Sequence, residues 1–484
     1  MPVKYTTALV RIGYFFSNQK VSVFGGFQQI LKKIISRFQP IRIALHQPSI
    51  IQKKQQHLNM QRLKFVFPTL LLLLIIVSGC ADKTVKTYMA NTPVYTPTDT
   101  WRAQSFTFEA TRALKTPGKI YLYNNLLLVN EFLEGVHFYD NSNPASPIEL
   151  GFLPVHANQD LAVRNNILYV DSYTDLLSFD ISDPRHPNFL TRLNDVFAFN
   201  NYVFMEGFDS QYPMVEIDPN QGVVTGWIVE ETSNEVFNYG RGGIMEDMLM
   251  SNSGGGALGE SNFANGNGLG GSTARFTIYD HYLYTLENFE LGVFDIQENL
   301  FHLRDVALTM SSETLFPADG YLYIGTTTGM LIYNLSNAGS PTFVSSYSHV
   351  TSCDPVVVQG DKAFVTLSTG NRCFGNVNTL QVIDLSDMTM PTLLYDYPMT
   401  NPKGLGLDGN TLFLCDGADG LKVFDKTDLS TISQHLISQF SGITAADVIP
   451  NNQVLLMTSA QGIYQYSYAD LQNITQLSVI PVQQ

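Results

Sequence analysis

Gly135-Val-His-Phe-Tyr-Asp140, Asp175-Leu-Leu-Ser-Phe-Asp180, Leu380-Gln-Val-Ile-Asp384 and Gly420-Leu-Lys-Val-Phe-Asp425 are copies of one pattern, a short apolar run that closes on an acid. Taking Asp140, Asp180, Asp218, Asp295, Asn334, Asp384, Asp425 and Ser467 as its markers, the intervals are 40, 38, 77, 39, 50, 41 and 42 residues. Self-similarity at this period marks a unit that cannot bury its apolar face alone and must stack on neighbours.

Within each unit a polar residue opens a first strand, a turn rich in Asn, Asp or Gly follows, and an aromatic or β-branched run comes next. Examples of that run are Ile167-Leu-Tyr-Val170, Tyr282-Leu-Tyr-Thr285, Tyr321-Leu-Tyr-Ile324, Ala363-Phe-Val-Thr366 and Thr411-Leu-Phe-Leu414. The acid-terminated strand is third, and a Pro-rich link leads to an outer fourth. These are hairpin signals, and no stretch downstream of residue 80 keeps a 3.6-residue apolar period. After the third strand, Asp140-Asn-Ser-Asn143, Asp180-Ile-Ser-Asp183, Asn334-Leu-Ser-Asn337, Asp384-Leu-Ser-Asp387 and Asp425-Lys-Thr-Asp428 share short oxygen-bearing side chains. Such groups bond the backbone two residues on and close turns, a reading preferred over serial cation sites.

The 77-residue interval holds one insertion, roughly 231–273, with the Gly-rich stretches Ser253-Gly-Gly-Gly-Ala-Leu-Gly and Ala264-Asn-Gly-Asn-Gly-Leu-Gly-Gly271. Too poor in apolar residues for a hidden repeat, it reads as a mobile loop. Eight four-stranded units remain, and radial closure of such sheets gives a β-propeller with few open edges. Seven blades is the alternative, should the third repeat (199–230) be degenerate.

The N-terminal region is of another character. Residues 1–59 carry nine Lys/Arg and no acid; Met60-Gln-Arg62-Leu-Lys64 then precedes an apolar run and Val77-Ser78-Gly79-Cys80. A basic start, a short apolar core and small residues before a cleavage point describe a secretory signal. The apolar run falls short of the ~20 residues a membrane span needs and contains Pro68. Val-Ser-Gly-Cys resembles a lipobox, with Cys80 as the acylated N-terminus, 60–79 as signal peptide and 80–100 as a flexible tether. Residues 1–59 then read as a misassigned start, a real basic extension being the alternative.

All 43 acids lie beyond Cys80 against 17 Lys/Arg, so that part carries a net charge of about −26. It repels phosphate backbones and anionic headgroups, which argues against nucleic acid and leaves membrane contact to the acyl chains. In an exported chain Cys353 and Cys373 are candidates for a disulfide within one repeat, whereas Cys415 in Leu412-Phe-Leu-Cys415 reads as a buried apolar residue.

Leu380-Gln-Val-Ile-Asp384 and its sister copies, the lipobox, Asn158-Gln-Asp-Leu-Ala-Val163 and Leu168-Tyr-Val-Asp-Ser-Tyr173 together look like the LVIVD-repeat lipoproteins of Gram-negative bacteria. The similarity spans roughly 100–482, although no copy reads Leu-Val-Ile-Val-Asp in full. It implies a propeller exported to the outer membrane or cell surface, and it brings no reaction with it.

Motifs for chemistry are scarce. There is no His-Glu-x-x-His, Gly-x-Ser-x-Gly, Walker-type Gly-Lys-Ser/Thr or Cys-x-x-Cys. Gly266-Asn-Gly268-Leu-Gly-Gly271 matches Gly-x-Gly-x-x-Gly but leads into a strand pattern, the wrong context for a dinucleotide turn. Asp416-Gly-Ala-Asp419-Gly420 lacks calcium-loop spacing and reads as a turn. The histidines share no register and read as turn or surface residues, and the recurring aromatics Tyr169, Tyr284, Tyr323, Phe364 and Phe413 read as inter-blade core.

One pattern stands out. Nine or ten residues before the third position of each aromatic run lie Lys119, Asp160, Asp195, Arg275, Thr314, Asp354, Lys403 and Asp447. They are expected to open the innermost strands and ring one mouth of the central channel. Two readings compete: a network fixing blade packing, which is favoured, and a site for a polar ligand. No cofactor is identified, and nothing specific supports a divalent cation there.

The expectation is a monomeric, lipid-anchored propeller that binds a protein or glycan partner, with no catalytic residue assigned and the insertion as a candidate contact element. A polysaccharide lyase or hydrolase using Asp160 and Asp354 is the competing reading, since glycosidases need two carboxyls roughly 5–9.5 Å apart across an open cleft. A structural part of an envelope complex is the third.

Overall fold

The structure is a computed structural model that describes residues 87–198, 205–233, 236–237, 269–272, 274–287, 289–349, 355–368 and 377–483. Residues 86–484 form one compact unit. Among the described residues helix is confined to single turns such as Thr98–Arg102, and none is long and apolar enough to cross a membrane.

Among the described residues, seven antiparallel sheets are built on four consecutive strands each and stand as blades: 117–154, 161–193, 276–307, 312–348, 356–398, 405–440 and 445–481. Their first and second strands are joined by tight turns needing positive φ. Asn124, Asn166, Asp280, Asp319 and Asn452 supply it, which is why short polar residues recur there. The third strands end as the repeat pattern implies. The carboxylate or amide oxygens of Asp140, Asp180, Asp295, Asn334, Asp384 and Asp425 each accept the backbone N–H two residues on, at 2.8–3.2 Å. Their role is to close turns.

A bulge recurs in the outermost strand of all seven blades, because the register against the third strand skips one residue there. The skipped residue is apolar every time: Leu150, Leu190, Leu303, Val344, Leu394, Ile437 and Leu477. Bulges strengthen twist and spoil an edge for pairing with another chain.

The ring closes. Buried apolar clusters join the first three blades to one another, the third to the fourth, the fourth through sixth, the sixth to the seventh, and the seventh back to the first. Tyr169, Tyr284, Tyr323, Phe364 and Phe413 are buried in these seams, and the Tyr284 hydroxyl donates to Ala338 O of the next blade at 2.7 Å.

Three expectations need correction. Among the described residues, 205–230 supply no four-stranded blade of the repeat pattern, and blade two packs directly on the sheet at 276–307. Instead, Val223–Thr232 runs antiparallel to Tyr88–Thr96, with Met214–Val215 and Val236–Phe237 completing a separate sheet. The expected flexible tether at 80–100 is therefore a strand from Tyr88 onward, because nine backbone partners on a distant segment satisfy it. The insertion is also anchored at its ends: Val236–Phe237 belongs to that sheet, and Leu269–Gly270 pairs with the innermost strand of blade one.

Candidate functional site

The innermost strands begin on one side of the ring, and their first residues converge. Lys119 lies in blade one, Asp160 just before blade two, Arg275 just before blade three, Thr314 in blade four, Lys403 just before blade six and Asp447 in blade seven. Lys119, Asp160 and Asp447 are 5%, 3% and 0% exposed, and Thr314 is buried too. Burial pushes the Lys119 ammonium below its ordinary range, against the fields of Asp160, Asp447 and Glu313; Arg275 pushes the same way as burial. These charges share one low-dielectric hub, which makes their pairing obligatory.

Asp160 works as a bracket between blades. One oxygen accepts Leu161 N at 2.7 Å, and the other accepts Arg275 N at 2.6 Å and Phe276 N at 3.1 Å. Burial raises its carboxyl above the usual range, while Lys119 and these N–H groups pull it back. Beneath it, Asn158 donates to Asp160 O at 2.8 Å and to Asp171 Oδ1 at 2.7 Å. Asp171 Oδ1 also accepts Gln159 N and Asp160 N, and burial pushes this carboxyl up to about 6.

On the other flank of blade one, Asp447 accepts Ser272 Oγ at 3.0 Å, and the same oxygen of Ser272 accepts Leu405 N at 3.0 Å. Gly404 is required here because a Cβ at that position would overlap the Asp447 carboxylate. Arg275 turns its guanidinium to Leu286 O at 2.8 Å. Lys403 joins blades through its backbone, donating to Cys415 O and accepting the Thr366 hydroxyl.

Asp195 is not part of this ring. Among the described residues, 205–230 supply no blade whose innermost strand it could open. It sits exposed after the outer strand of blade two, in the left-handed region of φ, and pairs with Arg102 at 2.6 Å. Arg102 also grips buried Asp175, which Arg192 meets from the other side at 2.8 Å. That cluster fastens the helical turn Thr98–Arg102 to blade two. Asp354, the Cys353–Cys373 pair and Cys80 lie outside the described residues, whereas Cys415 is buried as expected.

One histidine was misread as a turn or surface residue. His137 is 0% exposed, with Nε2 3.1 Å from Glu131 and Nδ1 2.9 Å from Glu149. Burial opposes the Glu131 carboxylate, but His137 and the N–H groups of Lys115 and Thr116 outweigh it and hold the group below its ordinary range. This triad ties the strap before blade one to the blade itself. Among the described residues no group of three His, Cys, Asp or Glu is placed to hold a metal ion.

Asn158, Asp171, Ser272, Gly404 and Glu313 are the members of the hub that register counting did not find. Asn158 and Asp171 do stand in the two stretches that carry the family resemblance, so a sequence signal for them existed.

Two segments, 157–195 and 318–349, match the model of the LVIVD repeat; the first contains Asn158, Asp160 and Asp171. No curated protein matches the chain significantly. Among solved structures, BamB from Moraxella catarrhalis is 7% identical over 75% of this chain and 97% of its own, with a TM-score of 0.41. The periplasmic gluconolactonase PpgL of Pseudomonas aeruginosa is 10% identical over 78% and 97%, with a TM-score of 0.46. The computationally designed Ika8 protein is 10% identical over 77% and 88%, with a TM-score of 0.44. The chain is an all-β propeller that carries LVIVD repeats.

Proposed function

We propose that the protein is an exported, lipid-anchored propeller that binds a protein or glycan partner through its surface loops, and that its charged hub serves the fold. The observation that carries this is the occupancy of Asp160. Both of its oxygens are consumed by three backbone N–H groups from two blades. A general acid or nucleophile needs an oxygen free to meet substrate across an open cleft. The anchor rests on Val77-Ser78-Gly79-Cys80, and the acidic surface leaves attachment to the acyl chains.

The test is a glycan array and a membrane affinity purification with the chain from residue 81, together with labelling by a palmitate analogue in the parent and in Cys80→Ser. A saturable glycan or a stoichiometric protein partner, with label lost in the variant, is expected. Polysaccharide cleavage abolished by Asp160→Asn at unchanged melting temperature would overturn the reading in favour of an enzyme.

A further inference from the structure

Successive blades are elsewhere joined by short links, such as Pro398 to Leu405 and Phe440 to Ala445. Entry into blade three is different. Leu269 and Gly270 pair antiparallel with Leu122 and Tyr121, adding a fifth strand on the channel side of blade one. Leu269 is buried in the cluster that joins blades one and seven, with Leu122, Ile120 and Ile449. Ser272, 1% exposed, then bonds Asp447 of blade seven and Leu405 N of blade six. Three residues on, Arg275 and Phe276 bond Asp160 and the chain enters blade three. Blades six and seven, which Ser272 joins, lie opposite blade three in the ring, so the segment crosses the channel.

The first and last blades share no strand, since 117–154 and 445–481 are each continuous. Their seam relies on the reciprocal amide pair Asn141 and Gln465, the Ser478 hydroxyl on Pro144 O, and the bridge of Leu114 with Val482. We propose that Leu269–Ser272 is a built-in channel plug that staples this seam. Asp447, with Gly404 cleared to admit it, is the socket for Ser272 and not a site for an external ligand. The plug makes the return limb of the insertion part of the ring, whatever the rest of the insertion does.

Hydrogen exchange read by mass spectrometry tests this on the purified protein. In the parent, the amides of 269–272 exchange as slowly as those of the inner strands. In Ser272→Ala, exchange at 269–272, 117–123 and 445–451 quickens about tenfold, as loss of a buried bonded pair implies, while 356–359 is unchanged. A second variant replaces 238–268 by a short Gly-Ser linker and keeps the limb; its seam exchanges as in the parent. Loop-like exchange at 269–272 in the parent, an unchanged or ring-wide response in Ser272→Ala, or loss of seam protection in the trimmed variant overturns the proposal.

Discussion

Replacing Asp160 by Ala removes the acceptor for three backbone N–H groups and the carboxylate whose field acts most strongly in favour of the Lys119 charge. In the parent the carboxylate is 3% exposed and bonds Leu161 N, Arg275 N and Phe276 N at 2.7, 2.6 and 3.1 Å. A hydrogen bond to a charged group contributes about 1.5–3 kcal/mol, and the three do not add. Breaking a buried charge pair by removing one partner costs about 3–5 kcal/mol, so a loss of about 4 kcal/mol is expected. With an unfolding entropy of about 2.1 cal/mol/K per residue over a unit of roughly 400 residues, this lowers the melting temperature by about 5 °C. Asp183→Ala, at an exposed turn acid, is the control and shifts it by about 1 °C or less. Circular dichroism melts of both variants decide it. A shift in Asp160→Ala no larger than the control would refute the bracket role and reopen the hub as a ligand site.

Further consequences follow from the same hub and its neighbours. The Asp171 carboxyl, at about 6 against an ordinary 3.8, holds its proton more tightly in the folded than in the unfolded chain. Its contribution is therefore unfavourable above pH 6 and relieved as pH falls toward 4; urea melts should show the parent gaining about 2 kcal/mol over Asp171→Asn between pH 7 and 4. Equal pH slopes would contradict this. Gly404→Ala forces a methyl into the Asp447 carboxylate and should cost about 3 kcal/mol, whereas Gly409→Ala meets open space at a positive φ and should cost about 1 kcal/mol. Similar losses in denaturant titrations would show the close approach to be unimportant. His137→Leu strands Glu131 and Glu149 beside an apolar side chain and should cost about 3–5 kcal/mol, with partial recovery on adding Glu131→Gln. No recovery would place the loss in packing instead of charge.

What was legible in the sequence was what is local. The third-strand acids could be read because their turn bonds reach only two residues onward, and the aromatic seams because strand alternation fixes which residues face the next blade. Counting along the repeat placed Lys119, Asp160, Arg275, Thr314, Lys403 and Asp447 at the start of inner strands for the same reason. It failed at Asp195, where the count presumed a blade. The apolar run from Val223 there pairs with Tyr88–Thr96, far upstream and beyond two whole blades, and non-local pairing overrides local pattern. Ser272, Gly404 and the burial of His137 were illegible because each depends on a neighbouring blade or strap. The insertion was read as loop from its glycines, although Leu269 and Ser272 at its end carry contacts with three blades.

The closed ring is tested most directly by a cross-link at its seam. Leu114, before blade one, and Val482, after blade seven, are paired by a parallel bridge although the whole propeller lies between them in the chain. In a background free of native cysteines, Leu114→Cys with Val482→Cys should oxidise to an intramolecular disulfide in the folded protein. The closed loop would then run as a faster monomer band on a non-reducing gel, restored to normal mobility by reductant. Two thiols that stay open to maleimide under native oxidising conditions, or that yield only intermolecular dimers, would contradict a ring in which the last blade meets the first.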